Sequence, residues 1–329
     1  MTPVRYFFGA SQEHFPPEDL LQQAMSAATA GFDGISTSDH LQPWWEGGES
    51  AHCWVWMGAA AQAVEGLPIG TGVTPTAARY HPALIAQAWA TLERMYPGRS
   101  FLGIGSGEAL NEIPIGDDWP SPAGQIARMD EALGFIDRLW KGETITEEGE
   151  YYTLRDCKLH TLPQRRPPIY VSAFGPQAAR VAGRWGDGLW TLPDPEKTPE
   201  VIDAYREARR EAGREGDGEI LFQALWSWAE TDEAALDAVK IWKGSQRPGI
   251  YLEPTYKPDE VLAKGEDEIS DEELASSAIV GADPDLHVSR LRELEALGPT
   301  IIVLQNNSGA DPHGAIRTYG EKVLPALRS

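Results

Sequence analysis

Gly31-Phe32-Asp33-Gly34-Ile35-Ser36-Thr37-Ser38-Asp39-His40-Leu41-Gln42-Pro43-Trp44-Trp45 is the stretch that decides the fold. Its first seven residues read as a buried strand. At Ser38 the run gives way to a polar loop holding a carboxylate, an imidazole and two indoles. Imidazole is the side chain whose ordinary titration spans neutral pH, so a proton-transfer group stands just past a strand end.

Working outward, the strand–loop–helix unit repeats. Strands are predicted over Val4–Gly9, Phe32–Thr37, Pro68–Val73, Ser100–Gly105, Pro168–Ala173, Asp187–Thr191, Ile220–Ala229 and Thr300–Gln305. Helices are predicted over Leu20–Ala30, Ser50–Val64, Pro82–Met95, Ala123–Trp140, Pro176–Trp185, Pro199–Ala212, Glu233–Trp242, Leu286–Leu297 and His313–Leu327. Eight strands alternating with helices predict an α/β fold, a (β/α)8 TIM barrel, as one domain over residues 1–329. A doubly wound sheet is the alternative. Two segments fall outside the repeat. Gly142–Leu154 alternates like a β-hairpin with a Glu-Gly turn. Lys243–Gly281 is acidic and turn-rich, with Pro248, Pro254 and Pro258, and reads as a lid, a substrate loop or a solvated excursion.

The chain has 329 residues, 42% of them hydrophobic, and a net charge of −22. That charge opposes encounter with nucleic acid or an anionic membrane. It fits a solvated acidic surface or a salt-adapted interior. Cys53 and Cys157 make neither a disulfide framework nor a zinc cluster, and no close ligand spacing predicts a metal. Met1–Arg5 lacks a signal-peptide core, and no apolar run spans a bilayer. A soluble cytoplasmic protein is expected.

In a barrel, chemistry gathers where strands end. Those positions hold Glu13 after the first strand, Asp39, His40 and Trp44 after the second, and Gly72-Val73 after the third. Gly103–Glu112 follow the fourth, Ser172-Ala173-Phe174-Gly175-Pro176 the fifth, and Leu304–Asn307 the eighth. Neither a Gly-x-Ser-x-Gly elbow nor a Walker loop is present. Gly103–Glu108 superficially matches a dinucleotide fingerprint but lacks the acidic ribose partner. Its glycines fit close passage of the backbone by a flat ligand. Gly175-Pro176 opens a helix whose free N–H groups fit a phosphate, or is an ordinary helix start. Trp190, Trp226 and Trp228 lie near strand ends and read equally as pocket or core. Trp54, Trp56 and Trp89 read as helix packing.

Three strings taken together resemble one family: Ser38-Asp39-His40-x-Gln42-Pro43-Trp44, Arg79-Tyr80-x-Pro82-Ala83-x-Ile85-Ala86-Gln87 and Gly105-Ser106-Gly107-Glu108-Ala109-Leu110-Asn111-Glu112. They look like the coenzyme F420-dependent dehydrogenases of the luciferase-like superfamily, near the glucose-6-phosphate and secondary alcohol dehydrogenases. The resemblance runs from Tyr6 to about Trp190 and over the C-terminal strand and helix. It implies a deazaflavin at the barrel mouth, with His40 as the base on an alcohol and hydride transfer to C5. It implies Glu108 near N1 of the cofactor, Glu13 as a further active-site acid and Trp44 as a pocket wall. It also implies cofactor contacts from Asp39, Ser106, Gly107 and Asn111, a cis peptide at Gly72-Val73, phosphate contacts from Ser172 to Pro176, and a homodimer.

The chain departs from the family at the sugar-phosphate clamp. Leu192 and Pro195 stand for its Thr and Lys, Ser277 for its Arg, and Glu253 near its second Lys. A phosphate dianion would lose its charge-assisted bonds there. The expected substrate is therefore a neutral secondary alcohol or an unphosphorylated sugar, in a pocket of Trp44, Trp190, Trp226, Trp228 and Glu253. The alternative is a sugar 6-phosphate held by Arg247, Lys257 or Lys264. An FMN-dependent monooxygenase and a non-catalytic cofactor-binding barrel are further alternatives.

Overall fold

The structure, a computed structural model, describes residues 3–329. Eight strands are β1 (Arg5–Ala10), β2 (Gly34–Thr37), β3 (Ile69–Thr71), β4 (Ser100–Gly105), β5 (Ile169–Ser172), β6 (Gly188–Thr191), β7 (Glu219–Trp228) and β8 (Ile301–Asn306). Each pairs in parallel with the next, and β8 pairs with β1. That last pairing closes the barrel and rules out the doubly wound sheet.

Strand periodicity sets the two faces. On β7 and β8, Leu221, Ile301 and Val303 join Phe7, Phe101, Tyr170 and Trp190 in a cluster inside the barrel. Their alternates Ile220, Phe222, Trp226, Ile302 and Leu304 pack into the larger core under the helices. This is the two-residue alternation of a pleated strand.

Helices Pro82–Met95 and Pro176–Trp185 begin and end where the sequence predicts. Both carry Pro in the first turn, where its missing N–H costs nothing. The hairpin lies slightly further along than predicted, as Ile145–Glu148 and Thr153–Cys157. Its turn is held by the Glu131 carboxylate, which accepts from the N–H groups of Glu150, Tyr151 and Tyr152.

The segment Lys243–Gly281 differs most from expectation. It is a folded cap rather than a loop, with helices Pro258–Glu268 and Asp271–Ser277 and a strand Ile279–Gly281 beside β7. Trp242, Ile250, Val261 and Leu274 pack with Trp44, Trp45 and Leu110 in a separate small core. The cap is thus bonded by apolar burial to the His40 loop. Among the described residues, no helix is long and apolar enough to cross a membrane.

Candidate active site

A cavity of about 1050 Å³ opens at the C-terminal ends of the strands. His40, Glu13, Glu108 and Trp44 all line it.

The loop carrying His40 is fixed by its neighbour. Asp39 is 2% exposed and accepts from Trp54 Nε1 (3.1 Å), Thr74 Oγ1 (2.7 Å), Tyr80 Oη (3.1 Å) and Arg79 Nη1 (3.3 Å). Arg79 Nη2 also donates to the Asp39 carbonyl at 2.7 Å, and its Nε to Glu112 at 3.0 Å. Four donors saturate the Asp39 carboxylate, so its side chain braces the loop and its backbone is what remains for a cofactor. Trp54, read from sequence as plain packing, is one of the four.

Asn111 holds the next residues. Its Oδ1 accepts from the N–H of Leu41 (2.7 Å) and Gln42 (3.1 Å). Its Nδ2 lies 3.1 Å from Glu108 Oε2 and 3.3 Å from His40 Nδ1. The Asn111 amide thus ties the His40 loop to Glu108 while lining the cavity.

His40 sits between two acids. Its Nε2 is 3.4 Å from Glu13 Oε1 and 3.2 Å from Glu108 Oε2. Its Nδ1 is 3.2 Å from the Gln42 carbonyl. Glu13 is buried and oriented by Ser38 Oγ, which donates to it at 2.6 Å. The ring of Trp44 lies 5.1 Å from that of His40. This set can take a proton at the imidazole and hold the resulting cation by charge.

Burial raises the Glu108 carboxyl above the ordinary carboxylate range; the His40 charge opposes this and Glu13 reinforces it. The fold therefore binds that proton more tightly than the unfolded chain does, and ionised Glu108 costs stability as pH rises from the ordinary value toward the raised one. Melting midpoints of wild type and Glu108→Gln should converge as pH is lowered toward about 4 and diverge above it, the variant being higher. Thermal unfolding between about pH 4 and about pH 8 reads this out; a constant gap, or a lower variant, would contradict it.

One wall of the cavity requires glycine at two positions. A Cβ on Gly72 would fall 2.5 Å from Ser36 Oγ and 2.7 Å from Trp190. Gly107 takes φ +93°, open to glycine and costly for other residues. The Gly72–Val73 peptide is cis, as the resemblance implies. Gly72, Val73, Ser106, Gly107 and Ser172 line the wall in turn. Ala173, Phe174, Gly175 and Pro176 continue it to the start of the helix Pro176–Trp185, where no side chain caps the first N–H groups. Backbone donors on a shallow, glycine-floored wall fit a flat ring ending in a phosphate.

Three expectations for the substrate pocket are corrected. Trp190 lines the cavity from inside the barrel. Trp226 does not: it is fully buried under the helices, its Nε1 donating to the Leu304 carbonyl at 3.1 Å. Trp228 is likewise turned outward, donating to the Ala282 carbonyl at 2.8 Å. Glu253 lies off the cavity, paired with Arg247 (3.1 Å) and Lys264 (3.3 Å). Arg247 also pairs with Glu268, and Lys257 with Glu260. Among the described residues, the Arg and Lys side chains that line the cavity are Arg79, Lys197 and Arg290, and each faces a carboxylate, Arg79 those of Asp39 and Glu112, Lys197 that of Asp194 and Arg290 that of Glu293.

Sequence reasoning missed Tyr251, which the cap brings to the site. Its ring stands 6.5 Å from Trp44 and 5.0 Å from Phe174. Burial raises its phenol, and the charges of Glu108 and Glu13 push the same way. Nothing in the turn-rich local sequence marked it.

Comparison with known proteins adds four findings. The luciferase-like monooxygenase family profile matches residues 2–300. The F420-dependent glucose-6-phosphate dehydrogenase of Microbacterium testaceum (strain StLB037) is 38% identical, over 99% of this chain and 98% of that protein. Among solved structures, an F420-dependent secondary alcohol dehydrogenase in complex with an F420–acetone adduct superposes with a TM-score of 0.94 at 32% identity, over 100% of both chains. The coenzyme F420-dependent tetrahydromethanopterin reductase from Methanopyrus kandleri shares the fold, with a TM-score of 0.81 at 20% identity over 99% of this chain and 100% of that one.

Proposed function

The chain belongs to the luciferase-like monooxygenase family, and from that premise we propose an F420-dependent dehydrogenase that oxidises a neutral hydroxyl compound, a secondary alcohol or unphosphorylated sugar. It is an oxidoreductase acting on CH–OH donors. The observation that carries this reading is His40 Nε2 bracketed by Glu13 and Glu108 beside a glycine-floored wall.

Alcohol oxidation needs a base on oxygen and a hydride acceptor facing carbon. When bound, the deazaflavin supplies the acceptor, which no side chain can be. Gly72-Val73, Ser106-Gly107 and Ser172–Pro176 are the residues we assign to hold it. His40 takes the hydroxyl proton, and Glu13 and Glu108 hold the imidazolium so formed. Ser38 and Asn111 keep the acids and ring in register. Trp44 and Tyr251 screen the base from water. Burial raises the Glu108 carboxyl, and the imidazolium beside it opposes that rise.

The charge pairing supports a neutral substrate. Each Arg or Lys lining the cavity already faces a carboxylate, and the mouth carries exposed Leu192 and Leu252. A phosphate dianion would have to share its cation with a carboxylate already beside it. The names of the relatives favour a second reading, glucose 6-phosphate. Turnover of F420 with cyclohexanol, glucose and glucose 6-phosphate decides between them. The neutral donors are expected to give the higher kcat/KM; a preference for glucose 6-phosphate would establish the second reading. We further propose a cytoplasmic homodimer without nucleic-acid or membrane partners, the −22 charge supporting the last two exclusions.

A further inference from the structure

The inner wall of the barrel holds a hydrogen-bonded relay whose last donor faces the cavity. Trp190 Nε1 donates to Gln223 Oε1 at 3.1 Å, and Gln223 Nε2 donates to Gln305 Oε1 at 2.9 Å. All three residues line the cavity. The direction of the relay is fixed by chemistry. An indole N–H can only donate, so the Gln223 oxygen must face it. The Gln223 amide nitrogen then faces Gln305, which must turn its oxygen to receive it. What remains is the Gln305 amide nitrogen. Gln305 is 7% exposed, and its nitrogen has no protein partner among the described residues. A donor open to the cavity can be taken by water or by an acceptor on a bound molecule.

We propose that Gln305 is a specificity-determining residue that donates a hydrogen bond to a second oxygen of the substrate, remote from the carbinol that reacts. This rests on the dehydrogenase reading and narrows it. A donor with one hydroxyl has nothing to offer Gln305 once His40 holds that hydroxyl. A polyol or sugar does. The substrate class is therefore a neutral polyhydroxy compound.

Strand geometry places the relay where it can act. Leu225 pairs with Gln305 and Gln223 with Val303 across β7 and β8, so the two amides sit one step apart inside the barrel. On the other side Gly9 of β1 pairs with Gln305, and a Cβ there would lie 2.8 Å from the Gln305 Cα. The glutamine backbone is thus seated against β1, the strand that leads to Glu13.

The test uses the F420-loaded protein, with glucose and cyclohexanol as probes. Gln305→Leu keeps the volume and removes the donor. It is expected to lower kcat/KM for glucose about 10- to 100-fold, through KM, and to leave cyclohexanol nearly unchanged. Gln223→Leu frees the Gln305 amide to rotate and should give a smaller loss, again for glucose alone. The pH profile of kcat and the Kd for F420 should not move in either variant. Equal losses for both donors, or no loss, would overturn the proposal. Weakened F420 binding would also overturn it, because the donor would then serve the cofactor. Calorimetric binding of glucose separates this proposal from the functional reading. If wild type turns over no donor, the dehydrogenase reading fails, while weaker glucose binding in Gln305→Leu still supports the contact and unchanged binding still refutes it.

Discussion

Replacing His40 by alanine is expected to lower kcat by about 10²- to 10⁴-fold, the usual contribution of a positioned general base. F420 affinity should stay close to wild type, because the wall assigned to the cofactor is built from Gly72, Ser106-Gly107 and Ser172–Pro176. The variant leaves Glu13, 1% exposed, without its imidazole partner. His40→Gln, which keeps a donor near both acids, should therefore fold better than His40→Ala and be as inactive. Stopped-flow reduction of F420 with saturating donor measures the chemical step directly. A variant that lost F420 binding and kept turnover per bound cofactor would assign His40 to the cofactor instead.

Arg79→Leu is expected to cost about 3–5 kcal/mol of stability, since removing one partner of a buried ion pair strands the other. Here it strands two. Arg79 is the cation shared by Asp39 and Glu112, which are 2% and 0% exposed. Arg79→Lys should lie between. An ammonium cannot reach the Asp39 carbonyl, the Asp39 carboxylate and Glu112 together as the guanidinium fork does. Urea unfolding gives the stabilities. Because the Asp39 carbonyl is one residue from His40, activity of the folded fraction should fall as well. A change below about 1 kcal/mol would mean that the network is screened like a surface pair.

The barrel was legible because each strand–helix unit carries its own punctuation. Phe32–Thr37 stops at Ser38-Asp39, Pro82 and Pro176 open helices, and Gly31 closes one in the left-handed conformation. The cap was not legible. Its prolines suggested a loop, yet Pro258 occupies a first-turn position and Ser270 forms a capping box with Glu273. The Ser-x-x-Glu spacing was there to be read as a helix start.

The site was legible where chemistry sits in one short string, as in Asp39-His40 and Glu108. It was obscured where a residue's role depends on which face of a strand it occupies. Trp226 and Trp228 share the outward face of β7 with Ile220 and Phe222, and alternation from Leu221 would have placed them there. The same alternation puts Gln223 inward. Asn111 was singled out as a cofactor contact, but its hold on the His40 loop was hidden for another reason. Its contacts with Leu41 and Gln42 cross 70 and 69 positions of sequence, and only closure of the barrel brings them together.

The central claim is hydride transfer from a hydroxyl compound to F420 under His40. Purified protein mixed with oxidised F420 and a panel of secondary alcohols, polyols and sugars tests it in one measurement, loss of the deazaflavin's visible absorbance. The expected result is tight F420 binding followed by donor-dependent bleaching that His40→Ala abolishes. Binding without bleaching by any donor, or oxygen consumption with reduced flavin in its place, would contradict it.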